Sequence, residues 1–166
     1  MKLTGLVSLC TAIALTGFYL AFLQNKKIRL LRELSAFFSD MGEMGKTGLW
    51  DIREILEKLS LKYKGLSFTG NVLSFYESGE NLREIWEREI GNFCPFYINA
   101  EIKNLLTSFS EVLGRCTREG FVKRCEDFSS FAEKLLIAEE KRYEKNRTVT
   151  MYSGVLAAAA IFFILI

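Results

Sequence analysis

Residues 26–44, KKIRLLRELSAFFSDMGEM, place large apolar side chains at intervals of three and four positions. This spacing puts the apolar groups on one face of an α-helix and the charged groups on the other. The apolar positions are Leu30, Leu31, Leu34, Phe37, Phe38, Met41 and Met44. The stretch therefore predicts an amphipathic helix from about Lys26 to Met44 with one side in a helical core.

The same periodicity recurs downstream and predicts five further helices. They are expected near residues 49–64, 68–76, 82–90 and 102–113, and from about 117 onward. Gly42, Gly45 and Gly48 indicate a turn after the first helix, and Gly91 to Tyr97 a loop after the fourth. The chain has one Pro, and no segment alternates as a strand would. We therefore expect an all-α bundle of about six helices, the last of which has no Pro or Gly from 121 to 153.

The two ends of the chain differ from this charged middle. Of the 42 charged residues, 41 lie in residues 25–147, one lies at Lys2, and none lies in 148–166. Residues 3–23 and 149–166 would extend about 31 Å and 27 Å as helices, close to the roughly 30 Å of a bilayer core. The sequence predicts transmembrane helices in 1–24 and 148–166 and a helical domain in 25–147. A cleaved signal peptide is a poorer interpretation, because the apolar stretch is long and no A-x-A site follows it.

Charges beside the predicted spans indicate an orientation. Basic residues cluster on the inner side of both spans, whereas Lys2 alone lies outside: Lys26, Lys27, Arg29, Arg32, Lys141, Arg142, Lys145 and Arg147. By the positive-inside rule, residues 25–147 are cytoplasmic and both termini are extracytoplasmic. We expect the cysteines of this domain, Cys94, Cys116 and Cys125, to be reduced and packed as small apolar groups.

The composition excludes several kinds of site. The chain has no His, which excludes His-ligated metals and His-activated nucleophiles. Its net charge of +2 is too small to indicate nucleic-acid binding. Carboxylates alternate with basic residues at helical spacing, as in Glu54 with Lys58 and Glu84 with Arg88, which is typical of a solvated helix face. We predict a protein that is not an enzyme and has no metal or cofactor.

One short motif resembles a nucleotide-binding sequence. Gly45-Lys46-Thr47 ends like a phosphate loop, but position 40 is Asp40 where the motif needs Gly. The preceding pattern is also helical rather than that of a strand. We interpret the segment as a loop between helices with Thr47 near a helix N-cap.

Several short segments recur along the chain in a characteristic order and spacing: residues 28–34 (IRLLREL), Gly48-Leu49 followed by Ile52, Leu56 and Leu59, Trp86, Leu113-Gly114, Arg118-Glu119-Gly120, Glu140-Lys141-Arg142 and residues 152–156 (YSGVL). Together they resemble the stage III sporulation protein AB family of endospore-forming bacteria. Cys116-Thr117 and Phe121 depart from the family's usual Ser-Asp pair and Gln.

The resemblance implies a function that the composition alone does not indicate. The family belongs to the complex that joins mother cell and forespore, thought to act as a channel. Its soluble domain is similar to the cytoplasmic domains of the inner-membrane platform protein of type II secretion and type IV pilus systems. The resemblance thus implies a non-enzymatic platform in the outer forespore membrane, docking a cytoplasmic secretion-type ATPase and other membrane subunits.

Solvent-facing charges on the second and fourth helices are the candidate partner-binding residues. They are Arg53, Glu54, Glu57, Arg83, Glu84 and Glu87. The alternative is that these groups only keep the domain soluble. At the level of function, the alternatives are a small two-span protein that forms a pore or regulates a transporter, and a membrane-bound enzyme. Other copies of the same chain, in a homo-oligomer, are a further candidate partner.

Overall fold

The computed structural model describes the backbone of residues 2–48, 51–93, 98–113 and 117–165. Side chains are described in these ranges except at 2–10, 13, 14, 17, 146–151 and 153–165. The predicted turn residues Leu49 and Trp50, and the cysteines Cys94 and Cys116, lie outside the described residues.

The described backbone consists of helices joined by turns and short connections, with no strand, which confirms the all-α prediction. Six α-helices and one 3₁₀ turn follow in order: α1 Lys2–Thr47, α2 Ile52–Lys62, α3 Phe68–Glu77, α4 Leu82–Phe93, α5 Ala100–Ser108, the 3₁₀ turn Phe109–Glu111, and α6 Arg118–Leu165. The uninterrupted last helix agrees with the absence of Pro and Gly from 121 to 153. Among the residues searched, no helix carries an apolar stretch long enough to cross a membrane. The two spans predicted from the sequence, residues 1–24 and 148–166, stay predictions.

The chain divides into two compact units. One consists of Met1–Ile28 with Ile137–Ile166, and the other of Arg29–Leu136. In the first unit, Lys27 Nζ lies 2.6 Å from Glu139 Oε1, and Asn25 Nδ2 donates to Tyr143 Oη at 3.0 Å. These contacts join α1 to α6 where both helices carry polar side chains. Five large apolar residues of α1 are about half-exposed or more: Leu15, Phe18, Tyr19, Leu20 and Phe22.

The second unit has an aromatic core built on the α1 face that the periodicity predicts. Phe38 contacts Phe109 with ring centroids 4.8 Å apart, and Phe109 contacts Trp86 at 5.3 Å and Phe128 at 5.1 Å. Trp86 is fully buried, and its Nε1–H donates to the Leu106 carbonyl at 2.7 Å. Burying each such ring contributes about 2 kcal/mol or more to folding. Trp86 is therefore a packing residue, and Cys125 is buried in the same core.

The predicted turn at Gly42 and Gly45 is wrong, because both glycines lie inside α1. A Cβ atom at Gly42 would lie 3.2 Å from Cys125 Cβ, and one at Gly45 would lie 3.1 Å from the Phe121 ring. The missing side chains therefore let α6 approach α1 closely. Gly91 is likewise inside a helix, since α4 continues to Phe93.

The turn itself begins at Gly48, whose φ of +64° is a left-handed conformation that favours glycine. Helix α1 ends just before it, where the last carbonyls of a helix have no partner within the helix. Arg118, the first residue of α6, supplies one. Its Nε donates to the Gly45 carbonyl at 2.9 Å, and its Nη2 donates to the Lys46 carbonyl. This cation also complements the negative end of the helix dipole.

Candidate docking surface

Helix α2 presents the first half of the candidate surface. Asp51 caps the helix by accepting the Glu54 backbone N–H at 2.9 Å, which fixes where α2 begins. Glu54 and Glu57 follow on the exposed face. Arg53 Nη2 lies 2.6 Å from Glu77 Oε1 of α3, and this contact raises the pKa of Arg53. Arg53 is therefore engaged in a contact between helices that the sequence did not indicate.

Helix α4 presents the second half. Arg83 Nε lies 3.0 Å from Glu87 Oε1, and that same oxygen accepts the Ser110 hydroxyl at 2.7 Å. The Ser110 bond and, after it, the Arg83 bond lower the pKa of Glu87. Glu87 thus links α4 to the 3₁₀ turn, while Glu84 is exposed in the first turn of the helix.

The structure separates the six candidates into two groups. Arg53, Arg83 and Glu87 make contacts within the bundle, as described above. Among the residues that the structure describes, Glu54, Glu57 and Glu84 form no ion pair with another side chain. Helix α3 packs against both α2 and α4, so the two sets of carboxylates lie on helices that share a neighbour. The candidate docking surface is hereafter Glu54, Glu57 and Glu84.

The pairing expected from helical spacing on α4 is wrong. Arg88 does not meet Glu84 but lies 2.9 Å from Glu80 and 3.5 Å from Glu89, with its guanidinium 4.4 Å from the centre of the Phe75 ring. These contacts raise the pKa of Arg88, with the Glu80 hydrogen bond as the largest cause. The Glu80 contact draws Arg88 toward the start of α4 and away from its own i−4 position.

Glu89 is a buried carboxylate that sequence reasoning missed. It is 4% exposed, and its Oε2 accepts the Asn71 side-chain amide of α3 at 2.9 Å. Its position, four residues after Ile85 and three after Trp86, is on the apolar face of α4, and that spacing could have found it. The carboxylate stays hydrogen-bonded while buried, which is the condition for a charge inside a bundle.

The Gly45-Lys46-Thr47 motif lies at the end of a helix, so the loop and N-cap predicted there are wrong. Lys46 Nζ lies 2.6 Å from Glu43 and 2.9 Å from Glu126, and both hydrogen bonds raise its pKa. Thr47 Oγ1 donates to the Met44 carbonyl at 2.7 Å. Helix C-termini present carbonyl oxygens, whereas phosphate binding uses the N–H groups of an N-terminus. Within the searched part of the chain, no group of three or more His, Cys, Asp or Glu could hold a metal ion.

Comparison with known protein families gives a match over nearly the whole chain. The family model described as Stage III sporulation protein AB (spore_III_AB) matches residues 2–166. Neither the curated proteins nor the solved structures gave a match. The match covers both compact units and every helix described above, which confirms the resemblance noted from short segments. The chain belongs to the stage III sporulation protein AB family.

Proposed function

We propose that this protein is a non-enzymatic membrane platform of the complex between mother cell and forespore. Family membership implies a role at stage III of sporulation. The finer proposal is that residues 29–136 dock a cytoplasmic secretion-type ATPase and contact other membrane subunits. The similarity to the platform proteins of type II secretion and type IV pili, as inferred from the sequence, motivates this part.

A membrane location, in the outer forespore membrane on the mother-cell side, is part of the same proposal. Its support is the absence of charge from residues 3–23 and 149–166, together with the exposed apolar side chains of α1 between Leu15 and Phe22. Exposed apolar groups of this number are costly in water and favourable in lipid. The basic residues beside both segments favour a cytoplasmic location for 25–147.

The observation that carries the docking proposal is that three exposed carboxylates of α2 and α4, Glu54, Glu57 and Glu84, form no ion pair with any residue that the structure describes. A carboxylate in an ion pair must lose that partner before it contacts another protein, whereas these three groups need not. Exposed charges of this kind mainly raise the rate of association with a basic surface and make it sensitive to salt. The ATPase is thus expected to present Lys or Arg to this surface.

The test is co-purification of the ATPase with the full-length protein from membranes of sporulating cells. The variant carries Glu54→Lys, Glu57→Lys and Glu84→Lys, and it leaves Glu87 unchanged because that side chain joins α4 to Ser110. We expect the variant to insert normally and to lose the ATPase at low salt.

The matched control reverses three other exposed carboxylates, Glu111, Glu119 and Glu133. Like the test set, it changes two residues in the first turns of their elements, the 3₁₀ turn and α6, and one residue further along a helix. The control should retain the ATPase. Equal recovery with both variants would contradict docking through this surface.

A further inference from the structure

An open apolar groove lies between α5 and α6 within the unit Arg29–Leu136. Its volume is about 520 Å³. Its apolar floor consists of Leu105, Phe128 and Phe131, and Phe131 is 44% exposed. Two carboxylates, Glu101 and Asp127, stand at its rim. The groove therefore suits an apolar side chain that is flanked by positive charges.

The same unit carries an apolar side chain of that kind at the end of α2. Leu61 is 69% exposed, the largest exposure among the large apolar residues described in Arg29–Leu136. It lies between two exposed cations, Lys58 and Lys64, three positions away on either side. Lys62, its neighbour, is in contact with Asp40. Leu61 therefore protrudes from a stretch, residues 58–64, that carries three lysines and no carboxylate.

We propose that copies of this protein associate through these two patches, with Leu61 of one copy seated in the Leu105–Phe128–Phe131 groove of the next. Leu61 would lose its contact with water against three apolar side chains, which favours association. Lys58 and Lys64 would face Glu101 and Asp127, so the charges of the two patches are complementary. The aliphatic stems of these lysines can cover the remaining apolar area of the groove.

The contact joins two different patches, which is heterologous pairing. A copy with one patch removed can therefore still use the other. Glu54 lies at the opposite end of α2, about 10 Å along the helix from Leu61. Self-association is therefore separate from ATPase docking. The first is measured by recovery of the second tagged copy, and the second by recovery of the ATPase.

The test uses two full-length copies with different affinity tags, expressed together and solubilised in a mild detergent. Leu61→Asp and Phe131→Asp each change an exposed residue and so spare the core. We expect wild-type copies to recover each other. Each variant paired with itself should be recovered at least about tenfold less, as for the central residue of an interface. Leu61→Asp paired with Phe131→Asp should be recovered, because one intact protrusion meets one intact groove.

The mixed pair is also the folding control, since two misfolded chains would not restore recovery. Ile137→Asp is the matched substitution: Ile137 is on the same helix, has the same 44% exposure, and does not line the groove. It should leave recovery unchanged. Failure of wild-type copies to recover each other, unchanged recovery of either variant with itself, or loss of the mixed pair would each overturn the proposal.

A charge exchange tests the rim separately. Lys64→Glu paired with itself should be recovered about threefold less at low salt, which is the effect of an exposed ion pair. The double variant Lys64→Glu/Asp127→Lys paired with itself should restore it, because every contact then carries the exchanged charges. Equal recovery of all these pairs would rule out Lys64 and Asp127 as partners.

Discussion

Single residues close the turn that follows α1. Gly48 adopts a positive φ, and Arg118 lies so near that a Cβ atom on residue 48 would meet its guanidinium group. Gly79, after α3, has a comparable φ of +85°, but a Cβ atom on it would meet no other group within 4 Å. Substitution of Gly79 therefore measures backbone strain alone, whereas substitution of Gly48 adds the loss of the Arg118 contact.

We predict that Gly79→Ala lowers the free energy of unfolding by about 1 kcal/mol, the cost of a left-handed alanine. Gly48→Ala should lower it further, because the same strain is joined by displacement of Arg118 from the Gly45 and Lys46 carbonyls. Denaturant unfolding of the purified full-length chain, followed by helix signal, measures both. Equal losses for the two variants would show that the Arg118 contact adds nothing.

Tyr63 makes stability depend on alkaline pH. It is buried to 9% exposure, and its hydroxyl donates to Asp40 Oδ2 at 2.6 Å. Burial first, and then the Asp40 hydrogen bond, raise the pKa of Tyr63 to about 12 from an ordinary 10. A raised pKa means that the folded protein holds the proton more tightly than the unfolded chain does. The stability that protonated Tyr63 gives to the folded protein is therefore fully present below pH 10 and is lost as the pH rises to 12.

We predict that the free energy of unfolding falls by about 2 kcal/mol or less between pH 10 and 12 because of Tyr63. Because lysines titrate in the same pH range, the pH dependence of the wild-type protein is compared with that of Tyr63→Phe. This variant keeps the Lys62–Asp40 contact. The variant should show a shallower fall. Parallel stability curves for the two proteins would rule out a contribution from Tyr63.

At the scale of the elements, α1 and α6 pack closely because α1 lacks side chains at two positions that face α6. Gly42 faces Cys125, and Gly45 faces Phe121 and Val122. Both pairs lie within the unit Arg29–Leu136. A larger residue here must move a helix rather than the end of a flexible side chain, since Cys125 Cβ is attached directly to the α6 backbone.

We predict that Gly42→Leu lowers the free energy of unfolding by about 1–3 kcal/mol, which is typical of overpacking. Gly91→Leu is the matched control, because Gly91 is exposed in α4 with nothing within 4 Å of its missing side chain. That substitution should be neutral or stabilising by up to about 1 kcal/mol, since Gly is a poor helix former. Thermal unfolding of both variants measures these changes in stability. If Gly42→Leu left the free energy of unfolding unchanged, close packing at this position would be contradicted.

At the scale of the whole molecule, the distribution of charge along the chain bears on topology. The two ends, which carry only Lys2, flank a middle that holds 41 of the 42 charged residues, and most charges next to these ends are basic. We predict that residues 25–147 are cytoplasmic and that a reporter inserted near Asn92 reports the cytoplasm. A maleimide that does not cross membranes should label Cys94 only after lysis. Labelling of Cys94 in intact cells would reverse the proposed orientation.

The sequence by itself determined the helical class and most of the faces that pack. Apolar spacing is a local property, so it was enough to identify the α1 face from Leu31 to Met41 and the burial of Ile85 and Trp86 in α4. The short segments were also enough to identify the family. Helix ends were less certain: the glycines at 42 and 45 have the composition of a turn, and nothing within α1 distinguishes a turn from a close approach.

Only the tertiary structure decided which charges have partners. Arg53 meets Glu77 of another helix, Glu87 meets Ser110, and Arg88 meets Glu80 instead of Glu84. The cap on α1 comes from Arg118, more than 70 residues away along the chain. Helical spacing predicts neighbours along one helix, but an exposed charge pairs with whatever other elements place beside it. The candidate docking surface was therefore reduced from six residues to Glu54, Glu57 and Glu84 by contacts that depend on how the helices pack together.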